Sequence, residues 1–446
     1  MRLSGRKALV VGLGKSGVAA ARLLATRGAS VAVCDDKPAD ALRDSLRELE
    51  GVPHEEFLGG LREEAFRGRD LIVVSPGVPL STPLIADARR RGTESIAEVE
   101  LAARFIGEPV LGVTGTNGKS TTTALTAHLL RCAGKRVFAG GNLGDPLSNR
   151  VLIGAKLDAT VCELSSYQLE GIVSLRCAGA TVLNVTPDHL DRYPSLDAYA
   201  GAKARILENQ KPGDAAVLNA ADPRVAAMRT PAGVQRRTFD PRGPSADVAG
   251  YVRGKGALTV DGAEYVLRAP TLRGTHNAEN ALAALLLARH LGAAAADLQR
   301  GLDTYPGLPH RLEPVRTLDG VEWVNDSKAT NVDSVEKSLS AFDRRVLLIM
   351  GGRGKGAPYR PLRPLFQRRV VALLTIGEDA ARIAEELGDL APVSACGDLR
   401  TAIARARSMA RPGDTVLLSP ACASYDQFRN FEDRGDQFKA LVRELA

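Results

Sequence analysis

The chain has 446 residues, of which 44% are hydrophobic and 25% charged, and its formal net charge is +7. This length exceeds one ordinary domain and predicts two to four. Charges interrupt every apolar run before it reaches the roughly 18 residues of a membrane span, so the composition favours a soluble globular protein. The six cysteines form no CxxC pair and the N-terminus enters a strand directly, which predicts a cytoplasmic location without a signal peptide.

The excess of basic residues does not by itself indicate a nucleic-acid partner. Lys and Arg are dispersed along the chain instead of forming a basic arm. A phosphate-rich small substrate would explain the excess as well as nucleic acid would, and ordinary surface charge, the interpretation we favour, explains it too. We therefore expect small-molecule substrates, no nucleic acid, no membrane and a monomeric chain.

Hydrophobic patterning divides the chain into three segments of alternating strands and helices. Residues 1–107 contain the strands KALVVGLG, SVAVCD and DLIVVSPGV, with a helix over residues 16–27. Residues 108–309 contain PVLGVT, DATVCELSS, GATVLNVTPDH and DAAVLN. Residues 310–446 contain VEWVNDS, RVLLIMGG, VVALLTIG and DTVLLSPA and close on a helix over about 426–445. This alternation predicts parallel α/β sheets that place ligands on the loops after their strands.

The first glycine-rich turn, GLGKSG over residues 12–17, follows a strand and precedes a helix. Glycines let the backbone approach a pyrophosphate, and the helix N-terminus stabilises its charge. Asp35 and Asp36 follow about 20 residues later, where a nicotinamide-dependent dehydrogenase holds its ribose. Taken alone, the motif leaves two interpretations open: a dehydrogenase, or a tight turn without a ligand.

The second turn, GVTGTNGKST over residues 112–121, gives a stronger signal. Its backbone N–H groups can cradle phosphates, Lys119 can reach the terminal oxygens, and the Ser120 hydroxyl can hold Mg²⁺. The generic pattern GxxxxGK[ST] is not met, because Val113 occupies its first position. The variant GxTGTNGK[ST] is typical of ligases that phosphorylate a carboxylate.

Further motifs resemble the Mur ligase family over essentially the whole chain. They are ELSSYQ (163–168), NVTPDHLD (184–191), YAGAK (199–203), HNAEN (276–280) and PHRLE (309–313). The resemblance implies three domains. These are a Rossmann-like domain for the UDP moiety (1–107), a central P-loop mononucleotide-binding domain for ATP (108–309), and a Rossmann-like domain for the amino acid (310–446).

Two motifs of the third segment, NDSKATN (325–331) and SPACASYDQF (419–428), resemble the family member that adds D-glutamate. The sibling that adds diaminopimelate or lysine is expected to carry a DYAH-type segment instead. The resemblance implies an ATP-dependent amide ligase that joins D-glutamate to UDP-N-acetylmuramoyl-L-alanine through an acyl phosphate. Such an enzyme serves peptidoglycan synthesis, and with it cell-wall biogenesis, cell shape and cell division.

The resemblance also implies roles for individual residues. Lys119, Glu163, His189 and Lys203 are the expected catalytic residues. Two Mg²⁺ ions would be held by Ser120, Glu163, His189 and Lys203, the last as a carbamate formed when a neutral amine captures CO₂. The expected ATP contacts are Gly115, Thr116, Asn117, Gly118, Lys119, Ser120, Thr121, Asn277, Asn280, Arg311 and Asp326.

The remaining expected contacts serve the other two substrates. Those for the UDP-substrate are Gly14, Lys15, Ser16, Asp35, Asp36, Asn142, Ser165 and His189. Those for D-glutamate are Lys328, Thr330, Lys355, Ser424, Tyr425 and Phe431. Simpler interpretations make Glu163 a helix cap, Asn277 a helix cap and Lys203 a solvated surface lysine.

Two further functional classes stay open beside the ligase. A dehydrogenase would leave the GTNGKST turn and the Lys203 segment unexplained. A non-enzymatic nucleotide-binding regulator would not need the intact set of Lys119, Glu163, His189 and Lys203.

Overall fold

The described strands form three β-sheets, of five, nine and six strands. The structure is a computed structural model that describes residues 2–142, 144–188, 192–245, 247–343 and 345–446. Met1–Tyr265 and Glu279–Gly301 form one compact unit, and Val266–Ala278 and Leu302–Ala446 form a second. Within the described ranges, no helix combines the length and apolar character that crossing a bilayer requires.

The first sheet is parallel, with strand order β3-β2-β1-β4-β5. Its central strand is apolar and buried, as expected where helices cover both faces. The strands are β1 (Lys7–Val11), β2 (Ser30–Asp35), β3 (His54–Leu58), β4 (Leu71–Val74) and β5 (Glu94–Ala97). The helices are α1 (Lys15–Thr26), α2 (Arg43–Glu48), α3 (Glu63–Phe66), α4 (Pro83–Arg90) and α5 (Glu98–Ala103).

The second sheet has the order β14-β13-β12-β11-β10-β9-β6-β8-β7. Its strands are β6 (Val110–Thr114), β7 (Val137–Gly141), β8 (Ala159–Glu163), β9 (Gly179–Val182), β10 (Ala215–Asn219), β11 (Gln235–Asp240), β12 (Val248–Gly254), β13 (Ala257–Val260) and β14 (Ala263–Val266). The helices are α6 (Lys119–Cys132), α7 (Leu147–Ile153), α8 (Ser166–Glu170), α9 (Leu196–Ala204), α10 (Pro223–Ala226), α11 (Thr275–His290) and α12 (Ala295–Asp303). Strands β12 and β13 pair antiparallel, so the expectation of a purely parallel sheet is wrong at this edge.

The third sheet has the order β15-β16-β20-β17-β18-β19, and only the β15–β16 pair among its described strands is antiparallel. Its strands are β15 (Glu313–Leu318), β16 (Val321–Asn325), β17 (Val346–Gly351), β18 (Val370–Ile376), β19 (Val393–Gly397) and β20 (Thr415–Leu418). Its helices are α13 (Val332–Ser340), α14 (Arg363–Arg369), α15 (Ala380–Leu387), α16 (Leu399–Met409) and α17 (Phe431–Glu444).

The last helix begins at Phe431 and not at residue 426. The Asn430 side chain accepts the N–H of Asp433 and caps the helix there, which leaves the preceding residues in a loop after β20. The fold class is confirmed, because sheets rich in parallel strands alternate with helices throughout the three parts of the chain.

Two buried carboxylates of α5 attach the first sheet to the second. Oε1 of Glu98 accepts the N–H of Ser148 in the first turn of α7 (2.5 Å), while Oε2 is buried and has no partner among the described residues. Oε2 of Glu100 accepts three successive N–H groups, those of residues 173–175, at 2.8–3.0 Å. Its Oε1 accepts the Ser174 hydroxyl and the Arg104 guanidinium.

The two carboxylates differ in the hydrogen bonds that offset their burial. Burial raises the pKa of Glu98 to about 7, since hydrogen bonding to Ser148 alone does not replace the water that the carboxylate has lost. Burial also acts on Glu100, but donors from Ser174, Val173 and Arg104 outweigh it and lower its pKa.

The Glu98→Gln variant should therefore be more stable than the parent chain at pH 8. Glu98 binds its proton more tightly in the folded chain, so its ionisation makes the free energy of unfolding fall as pH rises from about 4.5 to about 7. A neutral glutamine escapes this loss, which amounts to at most about 3 kcal/mol. Urea unfolding between pH 5 and pH 8 should show that the free energy of unfolding of Glu98→Gln, relative to that of the parent chain, increases with pH. Glu100→Gln is the matched control and should lose stability at pH 8, and parallel pH profiles for the two variants would contradict the assignment.

Candidate active site

The turn after β1 is built as a strand–turn–helix anion site. Gly14 is the N-cap of α1, and Gly14 and Lys15 are exposed at the tip of the turn with Ser16 half-buried behind them. A Cβ on Gly17 would lie 1.9 Å from the Gly12 carbonyl oxygen, so only glycine allows this approach of helix to turn. The helix N-terminus can therefore receive a phosphate group.

Asp35 braces this turn from the end of β2. Its Oδ2 accepts the N–H of Leu13 (2.6 Å) and its Oδ1 accepts the N–H of Lys37 (2.9 Å). Both carboxylate oxygens of Asp35 thus already accept backbone N–H groups, a role that the sequence pattern did not indicate. Asp36, the next residue, is exposed. Ser75, which the sequence analysis did not single out, donates its hydroxyl to the Gly12 carbonyl (2.7 Å).

The turn after β6 depends on two glycines in its backbone. Gly115 (φ 152°) and Gly118 (φ 85°) occupy backbone conformations that other residues rarely adopt. A Cβ on Gly118 would lie 2.2 Å from Oδ1 of Asn280, a buried residue of α11 that also accepts the Thr122 hydroxyl (3.2 Å). This glycine turn leads into α6 at Lys119, with Ser120 and Thr121 in the first turn of the helix.

Asn184, which follows β9, holds the turn in place from the neighbouring strand. Its Oδ1 accepts the N–H of Asn117 (2.8 Å), and its carbonyl accepts the N–H of Thr116 (2.9 Å). Thr116 also exchanges hydrogen bonds with the backbone of Thr186. Sequence analysis noted the NVTPDHLD motif but gave Asn184 no role; its position after a strand next to β6 is the signal that could have identified it.

Two lysines meet at one carbonyl of this turn. Nζ of Lys119 donates to the carbonyls of Gly115 (2.9 Å) and Thr116 (2.8 Å), and Nζ of Lys203 donates to the same Gly115 carbonyl (2.8 Å). Lys203 is 1% exposed, and its Nζ lies 4.2 Å from the centroid of the Tyr199 ring. The interpretation of Lys203 as a solvated surface lysine is therefore wrong.

Burial and then the positive charge of Lys119 lower the pKa of Lys203 to about 7, although Asp188 and Glu163 act in the opposite direction. A neutral amine is therefore accessible near neutral pH. Such an amine is a nucleophile, whereas an ordinary lysine ammonium is not.

Glu163, at the end of β8, supplies the buried carboxylate next to these cations. Its Oε1 accepts the Asn142 amide (2.7 Å), but its Oε2 is buried and accepts no hydrogen bond from the described residues. A buried carboxylate oxygen without a donor fits a cation ligand. No group of three or more His, Cys, Asp and Glu side chains fit to hold a metal occurs among the described residues. His189 lies outside the described residues.

Ser165 is already engaged as the N-cap of α8. Its hydroxyl accepts the N–H of Gln168 (3.2 Å), and its own backbone N–H donates to Oε1 of Gln168 (2.9 Å), which completes a reciprocal capping box. The Ser165 side chain therefore stabilises the loop that follows Glu163. Asn142 is exposed at the end of β7, and its side-chain amide donates to the Glu163 carboxylate.

In the second unit, the predicted glutamate contacts lie on the loops after β16, β17 and β20 and, for Phe431, at the start of α17. Nζ of Lys328 lies 5.3 Å from the ring centroid of Phe431, so these two predicted residues are neighbours. Ser424 is buried and Tyr425 is 66% exposed on the same loop. Lys355 is exposed after β17, and Thr330 is half-buried after β16.

Asp326 is enclosed by protein donors at the end of β16. Its Oδ2 accepts the hydroxyls of Ser338 (2.5 Å) and Ser419 (2.8 Å), and its Oδ1 accepts the N–H of Leu312 (3.2 Å). Burial raises the pKa of Asp326 to about 6. Arg311, nearby in the chain, has a buried Nε without a hydrogen-bond partner among the described residues.

Asn277 fixes the segment that leads into α11. Its amide donates to the carbonyls of Arg273 (2.9 Å) and Thr271 (3.3 Å), and the side chain is buried. It therefore holds the turn before the helix through amide donors, and it is not the N-cap that the simpler interpretation expected, because the helix already begins at Thr275.

Comparison with known proteins identifies the family of this arrangement. The "Mur ligase MurD-like, N-terminal domain" matches residues 6–97, the "Mur ligase middle domain" residues 113–288, and the "Mur ligase, glutamate ligase domain" residues 310–422. The chain belongs to the Mur ligase family. The predicted family and the predicted three-domain α/β architecture are confirmed.

Two curated relatives match the full length of the chain. A UDP-N-acetylmuramoylalanine–D-glutamate ligase of Anaeromyxobacter dehalogenans is 55% identical, covering 100% of this chain and 99% of the relative. The corresponding ligase of Myxococcus xanthus is 54% identical, covering 100% of both chains.

Solved structures show the same fold at greater distance. The UDP-N-acetylmuramate–alanine ligase MurC of Thermotoga maritima has a TM-score of 0.61 at 20% identity, covering 98% of this chain and 99% of that one. A pseudomurein peptide ligase type C of Methanothermus fervidus has a TM-score of 0.60 at 20% identity, covering 99% and 100%.

Gly118→Ala should abolish nucleotide binding, whereas Gly134→Ala at the other end of α6 should not. Both glycines have positive φ, so both substitutions should cost about 1–2 kcal/mol of folding stability. Only at Gly118 does the added Cβ meet another group, the Asn280 side chain at 2.2 Å; at Gly134 it meets nothing within 4 Å. Urea unfolding and titration with a fluorescent ATP analogue measure the two effects. Equal nucleotide affinity in the two variants would contradict the tight fit of the turn.

Proposed function

We propose that this chain is an ATP-dependent ligase that joins D-glutamate to UDP-N-acetylmuramoyl-L-alanine in the synthesis of peptidoglycan precursors. Full-length identity of 54–55% to two ligases of that name carries the proposal. The glycine-rich turn after β6, into which Lys119 is hydrogen-bonded, supports it, because phosphoryl transfer to a carboxylate brings several anions together and requires fixed cations.

The alternatives from the sequence analysis fit less well. A dehydrogenase needs neither the turn after β6 nor a buried lysine beside it. A non-enzymatic regulator gains nothing from an orphaned buried carboxylate oxygen on Glu163 next to a lysine of lowered pKa.

The proposed reaction has two steps. A carboxylate oxygen of the alanyl group attacks the γ-phosphorus of ATP, which gives an acyl phosphate and ADP. The amino group of D-glutamate then attacks the acyl carbon, phosphate leaves, and the nitrogen loses a proton as the amide forms. Lys119 and the N-terminus of α6 would stabilise the transferred phosphoryl group, while the turn backbone holds the remaining phosphates.

Magnesium would be held at the same place. Ser120 in the first turn of α6 and Glu163 at the end of β8 offer the hard oxygen ligands that Mg²⁺ prefers, and the ion would neutralise phosphate charge. We propose two Mg²⁺ ions, the second with ligands from His189 and from Lys203 as a carbamate. The buried, low-pKa amine of Lys203 supports the carbamate, since only a neutral amine captures CO₂.

The other substrates would use the sites predicted for them. The turn at Gly14–Ser16 would hold the UDP pyrophosphate, with Asp35 and Asp36 beside it, and Asn142 and Ser165 would contact the muramoyl-alanine part. Lys328, Thr330, Lys355, Ser424, Tyr425 and Phe431 would hold D-glutamate. Asn277, Asn280, Arg311 and Asp326 remain predicted nucleotide contacts. We further propose that the chain acts as a cytoplasmic monomer.

Phosphate release by the purified chain should require UDP-N-acetylmuramoyl-L-alanine, ATP and D-glutamate together. L-glutamate, D-aspartate and diaminopimelate should support turnover at least about a hundredfold more slowly, because buried polar groups that lack their partner penalise the wrong substrate. A coupled phosphate assay with each amino acid in turn measures this. Equal turnover with diaminopimelate would place the chain with a sibling ligase.

Lys203→Arg should lose at least about a thousandfold in turnover while keeping nucleotide binding. A guanidinium cannot be carbamylated and would place a fixed positive charge where a negative ligand is proposed, whereas Lys119 and the turn would still bind phosphates. Activity of the parent chain should also fall in CO₂-depleted buffer and return with bicarbonate.

The matched control is Lys156→Arg, since Lys156 is exposed in the loop after α7. It should retain full activity. Full activity of Lys203→Arg, or a bicarbonate response equal in both variants and parent, would exclude the carbamate and leave the ligase assignment intact.

A further inference from the structure

Backbone hydrogen bonds connect three loops of the second unit, those after β17, β18 and β20. Arg353 and Ala423 exchange backbone hydrogen bonds at 2.9 and 3.0 Å. Gly352 donates to the Ile376 carbonyl (3.1 Å), and the N–H of Asp379 donates to the Gly352 carbonyl (3.0 Å). The loop after β18, which contains none of the predicted substrate contacts, therefore connects to the loop that carries Lys355.

Tyr359 is the side chain that joins all three loops. It is 2% exposed, and its hydroxyl donates to Oδ2 of Asp379 (2.6 Å) and lies 3.1 Å from Sγ of Cys422. The tyrosine has a single hydroxyl proton, and this proton is already in the hydrogen bond to the Asp379 carboxylate. In the contact with Cys422, the thiol is therefore the donor and the tyrosine oxygen the acceptor. Burial raises the pKa of Cys422 to about 11, which keeps the thiol proton in place.

Helix α15 holds the Lys355 loop from the other side. Oε2 of Glu386 accepts the N–H groups of Tyr359 (2.7 Å) and Arg360 (3.0 Å). The Arg382 guanidinium donates to the carbonyls of Gly356 (3.3 Å) and Ala357 (3.1 Å), the two residues that follow Lys355.

The loop passes so close to Asp379 that no side chain fits at Gly354. A Cβ there would lie 2.0 Å from Oδ2 of Asp379, the oxygen that accepts the Tyr359 hydroxyl. The chain around Lys355 thus lies directly against a carboxylate oxygen that the Tyr359 hydroxyl holds. Its path depends on the position of that carboxylate.

We propose that Tyr359 and Asp379 are positioning residues for D-glutamate, although neither is predicted to touch it. The Asp379–Tyr359–Cys422 chain would fix the Lys355 loop relative to the loop that carries Ser424. Two loops that must bind the two carboxylates of one small dianion need a fixed spacing, and a hydrogen-bonded connection supplies it before the substrate arrives. This inference rests on the proposed function.

Tyr359→Phe tests the connection with almost no change in volume. The KM for D-glutamate should rise about tenfold, the factor that corresponds to about 1.4 kcal/mol, which is the size of one lost hydrogen bond. The KM values for ATP and the UDP-substrate should stay within about twofold, since these substrates do not depend on the spacing of the two loops. Hydrogen exchange of the amides of residues 353–360 in the ligand-free chain should become about tenfold faster.

Two further variants separate positioning from general stability. Asp379→Asn keeps an acceptor for the tyrosine and should give a smaller rise in the KM for D-glutamate than Tyr359→Phe. Thr375→Val removes a fully buried hydroxyl of β18 that has no partner among the described residues, and it should leave both measurements unchanged.

An unchanged KM for D-glutamate in Tyr359→Phe would overturn the inference, even if exchange of the loop were faster. A rise of equal size for all three substrates, or an equal effect in Thr375→Val, would overturn it as well. If the parent chain did not use D-glutamate at all, the proposed function would fail, and the positioning role would fail with it. The exchange measurement would then show separately whether Tyr359 restrains the loop.

Discussion

The Gly115 carbonyl accepts hydrogen bonds from Lys119 and Lys203 at once, and the phosphate turn depends on this contact. It holds two like charges close together where the helix N-terminus of α6 already favours anions. Their repulsion adds to burial in lowering the pKa of Lys203, while Glu163 and Asp188 offset only part of the positive potential. Lys203 therefore loses its proton more readily than an ordinary lysine, and the positive potential at the turn comes from Lys119 and the helix N-terminus.

In the second unit, two buried charged side chains, those of Arg434 and Asp326, are hydrogen-bonded by the protein itself. Arg434 of α17 is fully buried and donates from its guanidinium to the carbonyls of Ser327 and Cys422, on two loops, and of Gly351, at the end of β17. Asp326 is enclosed by two hydroxyls and a backbone N–H. Such saturation makes the loops rigid and leaves the exposed tips, Lys355 and Tyr425, as the parts that can meet a ligand.

The features that sequence patterning predicted are local ones. Each glycine-rich turn lies between a strand and a helix that are only a few residues apart in sequence. Both turns were therefore identifiable from the sequence. Patterning failed where the partner is distant in sequence. The burial of Lys203 depends on Gly115, and the brace at Asp35 depends on Leu13. The start of α17 was missed for a local reason, because the Asn430 cap sets it and the hydrophobic spacing does not. The antiparallel β12–β13 edge was missed because short strands with mixed burial give a weak periodic signal.

The α5 carboxylates have a consequence for how the chain is divided. By descent, residues 6–97 and 113–288 are two modules, yet one continuous apolar core runs from Leu3 through the first sheet to Met228. Glu98 and Glu100 add hydrogen bonds between α5, which directly follows the first module, and backbone N–H groups of the second module. Melting either sheet would expose the apolar surface that it shares with the other. The shared core therefore favours joint unfolding of the two modules, and the boundary between them does not separate compact units of the chain.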